Sequence, residues 1–263
     1  MAGAPADREM RKLLDEPFLI LPICLAVFWA AAAIGCWLSH RAKNQLVEGD
    51  AEDFKFILGG TLTLLGLIIG FTFSMAVSRY DLRKNYEEQE ANAIGTEFVR
   101  ADLLPAADAV KVRALLISYL DERVVKYEAT DVRRLPEINS QTAQLQGELW
   151  TAITGPATAQ PTPVNALVVA GMNDVLNSQG YTQAAWWNRI PAEAWALLTI
   201  IAIFCNLLIG YGAQGKSAFL LVILPIALSV SFSLIADIDS PRGGLIRVRP
   251  QNLESLAASL HAR

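Results

Sequence analysis

The sequence predicts an all-α membrane protein, with four transmembrane helices and a cytoplasmic helical bundle inserted between the second and third. Three observations lead there. The 263 residues are 53% hydrophobic and only 18% charged, with a mean hydropathy of +0.32, which is too apolar for a soluble domain of this length. Four stretches contain no charged residue at all: Phe18–Leu38, Phe56–Val77, Ala194–Ala213 and Ser217–Ala236. Each reaches the ~20 residues that a helix needs to cross a bilayer. Between them no stretch alternates as a strand would, and no repeat is visible.

The first span follows Arg8, Arg11 and Lys12, as a signal peptide would, but its apolar run is longer than an h-region and acidic residues sit among the basic ones. It reads as a retained helix. After the second span nothing stops the helix: residues 78–104 contain no proline, and Arg83/Glu87 and Lys84/Glu88 stand four apart. Ala91, Ile94, Phe98 and Val99 form an apolar stripe at helical spacing, and Pro105 ends the element. A second helix is expected from about Ala107 to Ala129, packing through Val110, Leu115, Leu116, Tyr119, Leu120 and Val124, and a third from Glu137 to Ile153. Gly155–Pro163 (GPATAQPTP) reads as a loop. A fourth helix, from about Asn165 to Ser178, leads toward Trp186, Trp187 and Trp195, placed as interfacial anchors of the third span. Only Gln214, Gly215 and Lys216 join the last two spans, which predicts an antiparallel hairpin, with Gly210, Gly212 and Gly215 supplying the freedom to turn. The expected divisions are 1–80 (N-terminal segment and first two spans), 81–192 (cytoplasmic helices), 193–237 (transmembrane hairpin) and 238–263 (cytoplasmic tail).

Four crossings put the N-terminus, the long middle segment and the C-terminus on one side. The other side holds just Arg41, Lys43, Lys55 and Lys216 of the 22 Lys and Arg. Arg79, Arg83, Lys84, Arg189, Arg242, Arg247 and Arg249 crowd the first side close to lipid, so the positive-inside rule makes that side cytoplasmic and the protein a multi-pass component of the inner membrane.

The usual catalytic and nucleotide-binding signatures are missing, so no catalytic residue, cofactor or nucleic-acid partner is expected. Cys24, Cys36 and Cys205 lie inside apolar runs without metal-ligand spacing. Glu87, Glu88, Glu90 and Glu97 read as a solvated helix face rather than a cation site. Asn206, alone in the third span, is expected to bond between helices, and Ser229, Ser231 and Ser233 soften the fourth. The second span is more informative. Gly59, Thr63, Gly66, Gly70, Ser74 and Ser78 recur every three or four residues on one face. That face serves either close helix packing of the small-xxx-small kind or the lining of a pore. Leu67 and Phe71 are interleaved on it, and bulky apolar side chains repeated around an axis make a hydrophobic constriction. In the tail, Asp237 and Asp239 are two apart and would not share a helical face, and Pro241 ends the helix. They read as helix-exit residues, with Arg79 or Arg83 of a neighbouring second helix as the expected partner of the pair.

Two runs carry a family resemblance. Gly70–Lys84 (GFTFSMAVSRYDLRK), with its Gly-Phe pair and then Arg79-Tyr80, looks like the end of the second span in bestrophins. Asp237–Gly243 (DIDSPRG), with Asp237, Asp239, Pro241 and Gly243 in place and Asn252–Leu256 (NLESL) following, resembles the bestrophin tail motif. With Glu90–Pro105 and the layout of spans, the chain is similar to the bestrophin-like family of bacterial membrane proteins. The resemblance implies a homo-oligomer, pentameric by analogy, conducting small inorganic ions, anions above all, with the second span around the axis. It implies neck positions at Phe71, Leu67 and Thr63, flanked by Gly66, Gly70, Ser74 and Ser78. Thr72, Phe73 and Ser74 stand where bestrophins carry Arg-Asn-Asn, and Leu245–Arg249 replaces the acidic run that clasps calcium, so calcium gating does not transfer and no metal site is expected. Glu48, Asp50, Glu52 and Asp53 in the outer loop do not favour anions at the entrance. The second function class is a non-conducting membrane scaffold or signalling protein of the same architecture.

Overall fold

The computed structural model describes residues 16–41, 48–213 and 220–262, with side chains described for all of these but 48–51 and 220. Eight α-helices account for nearly all of them, and there is no strand among the described residues. In chain order they are α1 (Pro17–Arg41), α2 (Glu48–Arg100), α3 (Ala106–Glu128), α4 (Leu135–Ala159), α5 (Pro163–Trp187), α6 (Ala192–Gly212), α7 (Leu220–Asp239) and α8 (Gln251–His261). Short 3-10 turns at Ala101–Leu103 and Val132–Arg134 link α2 to α3 and α3 to α4. The sequence-based four-span plan is realised: α1, α2, α6 and α7 each hold a segment long and apolar enough to cross a membrane. The turn expected at Gln214–Lys216 lies outside the described residues.

The chain forms two compact units, one of Met1–Arg79 with Arg189–Arg247, the other of Tyr80–Asn188 with Val248–Arg263. In the first unit α1 packs along α6 and α7. Gly35 and Gly210 let the backbones of α1 and α6 touch: a Cβ on Gly210 would lie 2.0 Å from the Ala32 carbonyl oxygen, and one on Gly35 2.1 Å from that of Leu207. The Cys36 thiol adds a hydrogen bond to the Gly210 carbonyl, at 3.2 Å. Gly210 therefore serves packing inside a helix rather than the turn that the sequence suggested. Pro225, inside α7, has no N–H to give the Leu221 carbonyl, and the Trp29 indole N–H of α1 takes that acceptor at 3.0 Å. Phe28, Trp195 and Phe232 close the core between the three helices. Trp195 is thus a core residue and not an interfacial anchor. Asn206 is buried and donates to Ala202 O at 2.8 Å, a bond within its own helix rather than between helices.

In the second unit the residues Tyr80–Arg100 of α2 pack with α3, α4, α5 and α8 around a core built on Ile94, Leu116, Tyr119, Leu120, Leu149, Ile153, Val168, Met172 and Leu253. Three boundaries differ from expectation. Helix α4 continues through Gly155 and Pro156 to Ala159, with the Thr154 hydroxyl bonded to Thr151 O, that of Thr158 to Thr154 O, and the Pro156 carbonyl receiving Gln160 N. The connection to α5 shrinks to residues 160–162. Helix α5 starts at Pro163, capped by Thr162, whose hydroxyl accepts from Asn165 N at 3.2 Å. It runs on to Trp187, and Trp186 is buried against Tyr127 rather than at an interface. On α3 Leu116, Tyr119 and Leu120 are core as expected and Leu115 and Val124 pack against it, but Val110 is 69% exposed, while Val112, Arg123 and Lys126 join the buried side.

Candidate functional site

Helix α2 places every residue of the second-span stripe on one open face. Gly59, Thr63, Gly66, Leu67, Gly70, Phe71, Ser74 and Ser78 are all exposed, Leu67 by 53% and Phe71 by 64%. A Cβ at Gly59, Gly66 or Gly70 would meet nothing within 4 Å. Leu65, Thr72 and Ala76 are instead the buried side of this segment. Thr63 bonds its hydroxyl to Gly59 O at 2.9 Å and Thr72 to Ile68 O at 2.8 Å, so both are satisfied within the helix. Of the three residues that stand in place of Arg-Asn-Asn, Thr72 therefore points inward, and Phe73 and Ser74 are exposed. The small residues do not mediate packing within the chain. Just 11% of the most apolar window of α2 is buried, against 28–39% for the other spans.

The tail motif is a backbone clasp. Helix α7 ends at Asp239, and the buried Asp237 carboxylate accepts Leu245 N at 2.8 Å and Ile246 N at 3.4 Å, pulling the next turn back onto the helix end. Gly244 has φ +72, and a Cβ there would lie 1.5 Å from Asp237 Oδ1, so glycine is required twice over. The sequence motif pointed to Gly243, whose N–H is received by the Ser240 hydroxyl at 2.9 Å; the conformational demand falls one residue later. Asp239 is buried too, accepting Ile190 N at 3.1 Å with Arg189 Nε 3.5 Å away. Both aspartates are engaged by backbone N–H groups, and no group of three His, Cys, Asp or Glu that could hold a metal occurs among the described residues.

The acidic run of α2 is where sequence reasoning missed the structure. Glu87, Glu90 and Glu97 are fully buried rather than solvated, while Glu88 is exposed as expected. Glu87 caps α8, accepting Asn252 N at 2.9 Å, Leu253 N at 3.0 Å and Asn252 Nδ2 at 2.6 Å. The residue at the cap position of α8 is Pro250, which offers no side-chain acceptor, so α2 supplies one. Glu90 pairs with buried Arg123 of α3 and accepts the Thr182 hydroxyl of α5 at 3.1 Å. Beside the pair the Tyr119 and Tyr127 hydroxyls are pushed up well above the usual phenol range, first by burial and then by the Glu90 charge. One signal was legible: Glu87, Glu90 and Glu97 sit three or four residues from Ala91 and Ile94, on the apolar stripe itself.

Comparison with known proteins agrees with this architecture. The family model of the Bestrophin-like domain matches residues 26–253. Solved structures superpose over nearly the whole chain. A variant of a bacterial bestrophin homolog from Klebsiella pneumoniae has 16% identity and a TM-score of 0.64, over 94% of this chain and 98% of that one. Another crystal structure of a Klebsiella pneumoniae homolog, phased with zinc, has 15% identity and a TM-score of 0.62, over 92% and 95%. A structure described only as a membrane protein variant has 14% identity and a TM-score of 0.65, over 94% and 97%. No curated protein matches the sequence. Four apolar helices, the helical unit between the second and third, and a family match over most of the chain lead to one conclusion: this membrane protein belongs to the bestrophin-like family.

Proposed function

We propose that the chain is the subunit of an oligomeric ion channel in which α2 lines the conducting axis. The observation that carries this reading is the open stripe on α2. A face of small and hydroxylated residues, uncovered by its own chain and set on the least buried of the four spans, is suited to surround water and ions once copies gather around an axis. Thr63, Leu67 and Phe71 would face that axis, with Leu67 and Phe71 as the hydrophobic constriction and Gly66, Gly70, Ser74 and Ser78 beside them. Arg79 and Tyr80 would follow at the cytoplasmic neck, and the Asp237–Ile246 clasp would fix the exit of α7. Kinship with bestrophins supports five copies and a preference for anions. The bias of basic residues supports cytoplasmic termini in the inner membrane.

Purified protein in liposomes tests the reading through the flux of small anions and of cations. Phe71→Ala and Leu67→Ala widen and wet the constriction, and each is expected to raise flux severalfold. Wild-type vesicles impermeable to both kinds of ion would overturn the channel reading. If the substitutions then altered assembly alone, the open face would instead be a contact between copies of a non-conducting scaffold.

A further inference from the structure

The conduction reading makes no use of Glu97, whose setting is unlike that of the other buried acids. Its side chain is fully buried, yet neither carboxylate oxygen has a hydrogen-bond partner. Leaving buried polar atoms unpaired is costly, and an ionised carboxylate is far costlier to bury than the neutral acid. The carboxyl lies against α5 at Gly171, where a Cβ would come 2.0 Å from Oε2 and 2.3 Å from Arg100 Nη1. Glycine makes the room for both side chains. Among the described residues two charged groups act on it: Arg100 on its own helix and Asp174 on α5. Burial outweighs the attraction of Arg100, and with repulsion from Asp174 it pushes the Glu97 carboxyl up to about 8. The residue stands twenty positions beyond Val77, outside the apolar span.

We propose that Glu97 is a proton-binding site that governs the α2–α5 contact. Protonated, it seats against Gly171 and the two helices stay closed; ionised, it opposes burial and loosens α5 from α2. The sign follows from linkage. In the unfolded chain the group titrates at the ordinary value of 4.5, so between 4.5 and about 8 the folded state holds a proton that the unfolded chain does not. The contact is firmest at low pH and weakens as pH rises toward 8, with no further change above. Any consequence for conduction rests on the channel reading; the contact itself does not.

Hydrogen exchange on the full-length protein tests it, following peptides of α5 from about pH 6 to 9.5 after correction for the intrinsic rate. Wild type is expected to lose protection steadily as pH rises from 6 and to level off at about 8. Glu97→Gln is expected to stay protected throughout, Asp174→Asn to move the levelling point down, and Arg100→Gln to move it up. No transition in wild type, an unchanged transition in E97Q, or shifts of the same sign in the two charge variants would each overturn the proposal. If E97Q fails to fold, the opposed shifts of the other two variants decide. Flux measured on the same preparations reports separately: vesicles without flux defeat the channel reading and leave the exchange result standing on its own.

Discussion

Adding one methyl group at Gly210 is the sharpest test of how the first unit is held together. In Gly210→Ala the new Cβ would sit 2.0 Å from the Ala32 carbonyl oxygen and 2.8 Å from its carbon, both backbone atoms that no rotamer change can move. Ordinary contact lies above 3.4 Å, so α1 and α6 must part locally by about 1 Å or more. That separation also opens the Cys36–Gly210 hydrogen bond and the matching contact at Gly35. Overpacking of this kind costs about 1–3 kcal/mol, and the lost close approach of the backbones adds to it. For a chain of this size the melting temperature should drop by about 2–12 °C. The assay is the fraction of monodisperse protein left on size exclusion after brief heating in detergent. Gly147→Ala and Gly180→Ala are the controls, since both glycines are exposed and a Cβ at either meets nothing within 4 Å. The reasoning fails if Gly210→Ala and Gly35→Ala both melt with wild type.

Two further substitutions probe the acids buried in the second unit. Glu87→Ala removes the acceptor for three N–H groups at the start of α8; the loss of the cap, about 1–2 kcal/mol, should lower hydrogen-exchange protection in Gln251–His261 about tenfold while leaving α3 and α4 unchanged. Arg123→Met leaves Glu90 buried without its cation and should destabilise by about 3–5 kcal/mol in thermal unfolding, whereas Arg123→Met with Glu90→Leu should recover much of the loss.

The spans were legible because a bilayer imposes one requirement, length without charge, and four runs met it. The continuity of α2 past Val77 was legible for the complementary reason that nothing in residues 78–104 breaks a helix. The helix ends between the units' elements were harder. Gly155-Pro156 looked like a loop because glycine and proline usually interrupt helices, but α4 runs through both and Gln160 N closes its last turn on the Pro156 carbonyl. The Thr162-Pro163 start of α5, in contrast, carries a cap-then-proline signal that the sequence does show. On the candidate site, the open stripe could be read from spacing alone, but its two uses share that spacing, and burial was needed to separate packing within the chain from exposure. The buried acids were not legible as such. A glutamate is counted as outward-facing until its partner is known, and Arg123 and the α8 N-terminus lie 33 and 165 residues away in sequence. The tail aspartates were assigned to the helix exit from sequence, but the N–H groups that Asp237 receives come from a turn whose shape depends on Gly244, and Asp239 receives Ile190 N from 49 residues away.

The uncovered face of α2 has a consequence for a newly made copy before it meets others. Alone in the bilayer, such a chain offers lipid a surface of Gly59, Gly66, Gly70, Ser74 and Ser78, where few apolar side chains shield the backbone. In the oligomer proposed above, partner copies would remove that surface from lipid, so the residues that stand open in one chain would also distinguish an orphan subunit from an assembled one.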